Sequence, residues 1–384
     1  MIYLNLSMKS KKLTIQLGIF GLLIVMLVIS TALVKKVTNF NPKAAELATT
    51  TSSEDNLPAW RLIFSDDFNT DVSVGGFSGC VPKQINNNPY QVDFSNSNCN
   101  GLPLAVQKKW FAYPDGWPDG SPFGAIYYPS RVISIADGTM NVKLHSEKVN
   151  GKWIHMISTL VPKIPNQPGP EGGQIYGRYA IRFKIDPPIT GYKFAWLLWP
   201  DSEIWPKDGE IDFPEADDFS LKNKIYGGVH WAENNQDKFT IYPSNTTPAD
   251  GSWHTAETDW TKESIKFILD GKVIGNFTDK ANIPNKPMTW RIQSQGMLWQ
   301  AVEPKNTDVV NIKIDWVKVW QKVDSKSSPS LLPRPSFSPT PSSKPPITPW
   351  PSPSLKPSPS FLPRPSSSPT PSSKPIIRSG QIQE

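Results

Sequence analysis

Between Leu57 and Val323 the apolar side chains recur with a period of two. Val142 and Leu144 alternate with Lys143 and His145, Tyr179, Ile181 and Phe183 with Ala180, Arg182 and Lys184, and Ile312, Ile314 and Trp316 with Lys313, Asp315 and Val317. Neighbouring side chains on a strand point to opposite faces, so each run predicts a strand with one buried face. Ile265, Phe267 and Leu269 lead into Asp270-Gly271 and then Val273, which predicts a hairpin closed by a tight turn with positive φ. Gly, Pro, Asn or Asp stands at nearly every break, and no ten-residue window carries a convincing helical period. Many short antiparallel strands in one domain predict an all-β fold, a two-sheet sandwich or a barrel.

The two ends follow other rules. Leu13 to Val34 is a stretch of 22 residues without a charged side chain, flanked by Lys9, Lys11 and Lys12 and by Lys35 and Lys36. That length suffices to cross a bilayer. Ser30-Thr31-Ala32 makes a poor cleavage site, so an anchor is favoured over a cleaved signal sequence. Residues 1–12 are then expected on the cytoplasmic side, 35–56 as a linker, and 57–323 as a domain on the extracellular face, membrane-anchored or secreted. From residue 324 to 384 the chain holds 17 of its 40 prolines, and Leu332-Pro333-Arg334-Pro335-Ser336 returns thirty residues later as Leu362-Pro363-Arg364-Pro365-Ser366. Such a tail cannot bury a core and is expected to be a disordered, extended spacer.

Charge narrows the partners. The chain carries +6, but the tail from Ser325 supplies +6 and residues 1–56 supply +3, leaving −3 for the middle. A basic isoelectric point therefore gives no reason to expect a nucleic-acid partner. Two cysteines rule out a four-cysteine zinc site, and the four histidines show no spacing that would compensate. Cys80 and Cys99 lie in a polar, Asn-rich loop of a domain read as exported, where a disulfide is expected and two unpaired thiols are the alternative. Fourteen of the fifteen tryptophans fall in the middle domain, and Trp196, Trp199 and Trp205 crowd the approach to its most charged strand. Flat aromatic faces beside carboxylates suit sugar rings.

That strand lies in Trp205-Pro206-Lys207-Asp208-Gly209-Glu210-Ile211-Asp212-Phe213-Pro214-Glu215. Glu210 and Asp212 share one face, Ile211 and Phe213 the other, and Glu215 is out of phase by one residue. A β-bulge near Pro214, which cannot donate to a ladder, would return Glu215 to the Glu210 face. Three acids would then line one groove, and because they cannot all stay ionised together, one proton is expected to be held among them. Two carboxyls about 5 to 5.5 Å apart, one protonated and one ionised, are what a retaining glycosidase needs. A solvated acidic strand face is the plainer alternative.

Glu210-Ile211-Asp212-Phe213-Pro214-Glu215 resembles the E-x-D-x-x-E signature of glycoside hydrolase family 16, which includes laminarinases, lichenases, agarases and carrageenases. Tyr176 to Phe183, Trp196 to Trp205, Gly227-Gly228-Val229-His230-Trp231, Ser264 to Gly271 and Val309 to Trp320 are similar to flanking segments of that family, so the resemblance covers about 57–323. It implies a β-jelly-roll sandwich, concanavalin-like, with a concave cleft, and a double displacement on a β-linked polysaccharide with no cofactor required. In that frame Glu210 is the nucleophile, Glu215 the acid and then the base, and Asp212 the residue that orients Glu210 and helps hold the proton. Trp205 and Trp199 would meet the sugar chain, and His230 would sit near Glu215. Arg182 and Gln295 are candidates for sugar hydroxyls, with structural roles as their alternatives. The family also implies a structural calcium, here at Asp67 and Asp315. The expected partners are polysaccharide and, through residues 13–34, a membrane, with the protein a monomer. Two other functions use the same surface: a transglycosylase acting on envelope glycan, and a non-catalytic carbohydrate-binding sandwich. The Cys80 to Cys99 excursion and the loop Trp110 to Trp117 depart from the common laminarinase pattern.

Overall fold

Alternation along the strands sorts their side chains into two layers, and the layers close on one another as two antiparallel sheets. The computed structural model describes residues 59–121, 124–296 and 302–323. The expected anchor at 13–34, its flanking segments 1–12 and 35–56, and the tail 324–384 lie outside the described residues. Among the described residues no helix is long and apolar enough to cross a membrane.

The smaller sheet has seven strands. In spatial order they are Gln236–Pro243, Tyr226–Glu233, Glu210–Ala216, Tyr192–Pro200, Met288–Gly296, Thr159–Pro162 and Trp110–Ala112. The larger sheet has eleven strands and is centred on Gly177–Asp186 and Val310–Lys322, which pair with each other and with His254–Trp260, Thr139–Val149 and Trp60–Asp66. The hairpin predicted at Asp270-Gly271 joins Ile265–Leu269 to Lys272–Phe277, with φ of 49° and 74° at the two turn residues. Aromatic rings lock the two sheets together. Phe183 meets Trp196 edge-on at 4.9 Å, Tyr179 meets Trp290 at 5.4 Å, and Phe267 meets Phe213 at 5.2 Å. Each such pair contributes about 0.5 to 1.5 kcal/mol beyond the apolar area it buries.

Tyr226–Glu233 threads a narrow gap between rings. A Cβ on Gly227 would come within 2.5 Å of the Phe267 ring on the core side, and one on Gly228 within 2.4 Å of Phe239 on the other face. Only glycine lets the backbone approach rings this closely.

The disulfide Cys80–Cys99 closes the base of the long excursion, across a sequence separation of 19. Replacing both cysteines by serine is expected to cost about 3 kcal/mol through the entropy returned to the unfolded loop. Thermal melting without reductant measures it. An unchanged midpoint would assign the loop's order to bonds such as Lys83 N–H to Ser97 Oγ at 2.8 Å instead.

Two placements expected from the sequence are corrected by the packing. Arg182 lies on the larger sheet, away from the smaller sheet's cleft, where its guanidinium pairs with Asp315 and lies 4.8 Å from the centre of the Trp253 ring. It is a structural cation. Trp196 points into the core between Phe183 and Phe194. Asp315 is thus engaged by a cation, Asp67 is exposed, and the neighbouring Asp66 is taken by Lys109 at 3.0 Å and by the Trp110 indole at 2.6 Å.

Candidate active site

The cleft lies on the outer face of the seven-stranded sheet and encloses about 380 Å³. Period two accounts for its lining. On Tyr192–Pro200, Lys193, Ala195, Leu197 and Trp199 face the cleft while Phe194, Trp196 and Leu198 enter the core. On Met288–Gly296, Arg291, Gln293 and Gln295 face the cleft while Trp290 and Ile292 enter the core.

Glu210–Ala216 breaks this rhythm once. Against the histidine strand, Asp212 is opposite Gly228 but Glu215 is opposite Tyr226, so three steps on one strand match two on the other. The opposite neighbour shows the same slip, with Asp212 paired to Leu197 and Glu215 to Ala195. One extra residue has been absorbed. As a result Glu210, Asp212 and Glu215 all line the cleft, while Ile211 and Phe213 are buried in the core.

The three acids have different surroundings. The Trp205 indole N–H donates to Glu210 Oε2 at 2.7 Å, and the Trp205 ring lies parallel to Trp199, 8° between planes with centres 6.3 Å apart. Burial pushes the Glu210 carboxyl above its ordinary value, opposed by the charge of His230 and by hydrogen bonds from Asp212 and Trp205. Asp212 is pushed well above the aspartate range, first by burial and then by the negative charges of Glu210 and Glu215. Both carboxyls are pushed toward the protonated form, Asp212 the more strongly, so the pair shares a proton. Glu215 instead meets a cation: Lys193 Nζ donates to its Oε1 at 2.9 Å, with the lysine 3% exposed. Burial alone would pull the Lys193 ammonium down, but Glu215, Asp217 and Asp212 together hold it above the ordinary lysine value.

His230 lies across from Glu210, not beside Glu215 as the resemblance implied. Its Nε2 is 3.7 Å from Asp212 Oδ2, and its ring stacks on Phe239 at 3.8 Å. Glu210, Asp212 and His230 are the one group among the described residues whose carboxylate and imidazole atoms converge within 4.8 Å, as a metal ion would require. At the far end, Arg291 binds Glu171 at 3.0 Å and Glu203 at 2.6 Å and lies 5.4 Å from the centre of the Trp199 ring. Burial pushes Glu171 up to about 8 despite the guanidinium, because Glu203 and Asp201 add negative charge around the same cation.

Of the sequence candidates, Glu210, Asp212, Glu215, Trp205, Trp199, His230 and Gln295 share the cleft, whereas Arg182, Asp67 and Asp315 lie elsewhere. Lys193, Arg291 and Gln293 were missed, although each sits an even number of residues from a cleft-facing neighbour on its strand.

The proton on Asp212 gives a stability test. Folded chain keeps this proton to higher pH than unfolded chain, so the unfolded state binds fewer protons above the ordinary aspartate value of 3.8. Stability contributed by the neutral form is present at low pH and is lost as pH rises. Asp212→Asn is expected to melt progressively higher relative to wild type as pH rises above the ordinary aspartate value of 3.8. A difference independent of pH would show that Asp212 is ionised when folded.

Acids and indoles gathered in a cleft across one sheet of a β-sandwich define a carbohydrate-active domain. Residues 170–318 match the sequence model of Glycosyl hydrolases family 16. Over 108 residues the chain is 32% identical to the β-1,3-glucan-binding protein of Penaeus monodon, a match covering 25% of this chain and 29% of that protein. The chain thus spans under a third of the length of this curated relative. Among solved structures, the non-specific endo-β-1,3(4)-glucanase SCLam of family GH16 shares the fold at a TM-score of 0.50 and 19% identity, covering 70% of this chain and 94% of that one. The laminarinase from Rhodothermus marinus superposes at 0.48 and 19% identity, covering 70% and 100% of the two chains.

Proposed function

We propose that the protein is a retaining endo-glycosidase acting on a β-linked glucan. The observation that carries this reading is the register slip that brings Glu215 into one cleft with Glu210 and Asp212. The match to the family 16 model supports glycosidase chemistry, and the name of the glucanase that shares the fold favours β-1,3 or mixed-linkage glucan as the substrate.

In the first step Glu210 attacks the anomeric carbon and forms a glycosyl ester as the bond to the leaving oxygen breaks. Glu215, having taken up a proton from solvent, gives it to that oxygen. Water, deprotonated by Glu215, then attacks the same carbon and releases Glu210, so two inversions leave the β configuration unchanged. Asp212 keeps its proton throughout and steadies the charge on Glu210. Trp205 fixes the nucleophile through its indole N–H, while Trp199 offers an apolar surface beside it. An anchor at 13–34 and a spacer at 324–384 would present this cleft at the extracellular face, where polysaccharide is met.

The test is incubation of the protein with β-1,3-glucan, mixed-linkage glucan, agarose and carrageenan, with the product anomer followed by NMR. The expected product is a glucan oligosaccharide whose new end is first seen as the β anomer. An α anomer would overturn retention. The name of the Penaeus monodon relative favours a second reading, a non-catalytic glucan-binding sandwich. Its signature is glucan binding without release of new reducing ends.

A further inference from the structure

The edge strand Gln236–Pro243 carries a carboxylate that the chemistry above does not use. Asp237 accepts from His230 Nδ1 with both oxygens, each at 3.0 Å. A carboxylate only accepts, so this nitrogen carries the hydrogen and Nε2 is the ring's other, inward edge. That edge points at Asp212 Oδ2, 3.7 Å away, a buried oxygen that has no hydrogen-bond partner. Phe239 covers one face of the ring at 3.8 Å with 13° between planes, and Trp205 approaches it at 5.8 Å. The rings restrict tilt, and Asp237 alone fixes rotation within the plane.

We infer that Asp237 is a positioning residue for glycosyl transfer, holding His230 so that its inward edge stays turned toward the Glu210 and Asp212 pair. This rests on the proposed glycosidase reading. The charged groups around the imidazole are Glu210 and Asp212 from the carboxylate strand and Asp237 from the edge strand, with Lys193 reaching Asp212 from the strand behind. Without its outer carboxylate the ring loses the two hydrogen bonds that set its rotation, and with them its aim at Asp212 Oδ2. A role through another residue predicts loss of turnover without loss of substrate binding.

The experiment compares wild type, Asp237→Ala and Asp237→Glu on a soluble β-glucan, together with nitrogen-15 NMR of the histidines. Asp237→Ala is expected to lower kcat about 10- to 100-fold, with KM changed by less than about twofold. Asp237→Glu should restore much of the lost turnover. The exchange-protected Nδ1–H resonance of His230 should be present in wild type and absent in Asp237→Ala. A kcat within about twofold of wild type in Asp237→Ala would overturn the inference. Wild type without turnover on any glycan would remove the glycosidase reading instead. The resonance would then decide alone: seen in both proteins, it overturns a positioning role for Asp237, and lost only in the variant, it supports one.

Discussion

Glu210→Ala is expected to lower turnover of β-glucan on the order of 10⁴-fold or more, with folding unaffected, because no other group in the cleft is placed to form the glycosyl ester. Glu215→Ala should be equally inactive on polysaccharide but should keep its first step on an aryl glycoside whose phenolate leaves without a proton. Azide separates the two roles. In Glu215→Ala it attacks the glycosyl ester and gives the β-glycosyl azide. In Glu210→Ala it takes the place of the missing carboxylate and gives the α-glycosyl azide. Interchanged products would interchange the roles, and wild-type turnover in either variant would sink the mechanism. The strand supports both substitutions, since Ile211 and Phe213 hold it from the core side independently of the acids.

The second large effect concerns Lys193. It is 3% exposed and Glu215 is 8% exposed, so neither charge is easily satisfied by water once the other is gone. Breaking a buried pair by removing one partner costs about 3 to 5 kcal/mol, and the lower figure applies here because the orphaned acid can take up a proton. Lys193→Met, close in volume and without charge, is expected to cost about 3 kcal/mol, or about 6 to 12 °C in melting temperature for a domain of this size. Calorimetry at neutral pH measures it. Lys193→Met paired with Glu215→Gln should recover much of the loss, since the buried charge is removed together with its partner. A single variant as stable as wild type would mean that water reaches the pair.

These two predictions rest on residues of unequal visibility in the sequence. The acids were legible because their arrangement is local: three carboxyls within six residues, with Pro214 marking the break that the register confirms between Asp212 and Glu215. The hairpin at Asp270-Gly271 was legible for the same reason. Lys193 was not, because its partner is 22 residues away and the pairing depends on which strands become neighbours. Arg182 shows the other half of the difficulty. Alternation assigned it to a polar face correctly but could not say which of two sheets that face belonged to, and its true partner is 133 residues distant. Asp315 shows the same limit, since spacing in sequence does not reveal the guanidinium that pairs with it. Trp196 and Trp199 differ by three positions, an odd step on a strand, and so one packs in the core while the other faces the cleft.

Gly228 bears on how far such a domain can change. Its missing side chain lets Phe239 lie flat against the sheet, and Phe239 in turn backs the His230 ring. Even a methyl group there would lift the phenyl ring and unseat the imidazole, so a residue with no functional group of its own governs the aim of one that has. Descendants of this chain that trade away that glycine would have to rebuild the neighbouring wall first, and the two positions should therefore vary only in concert.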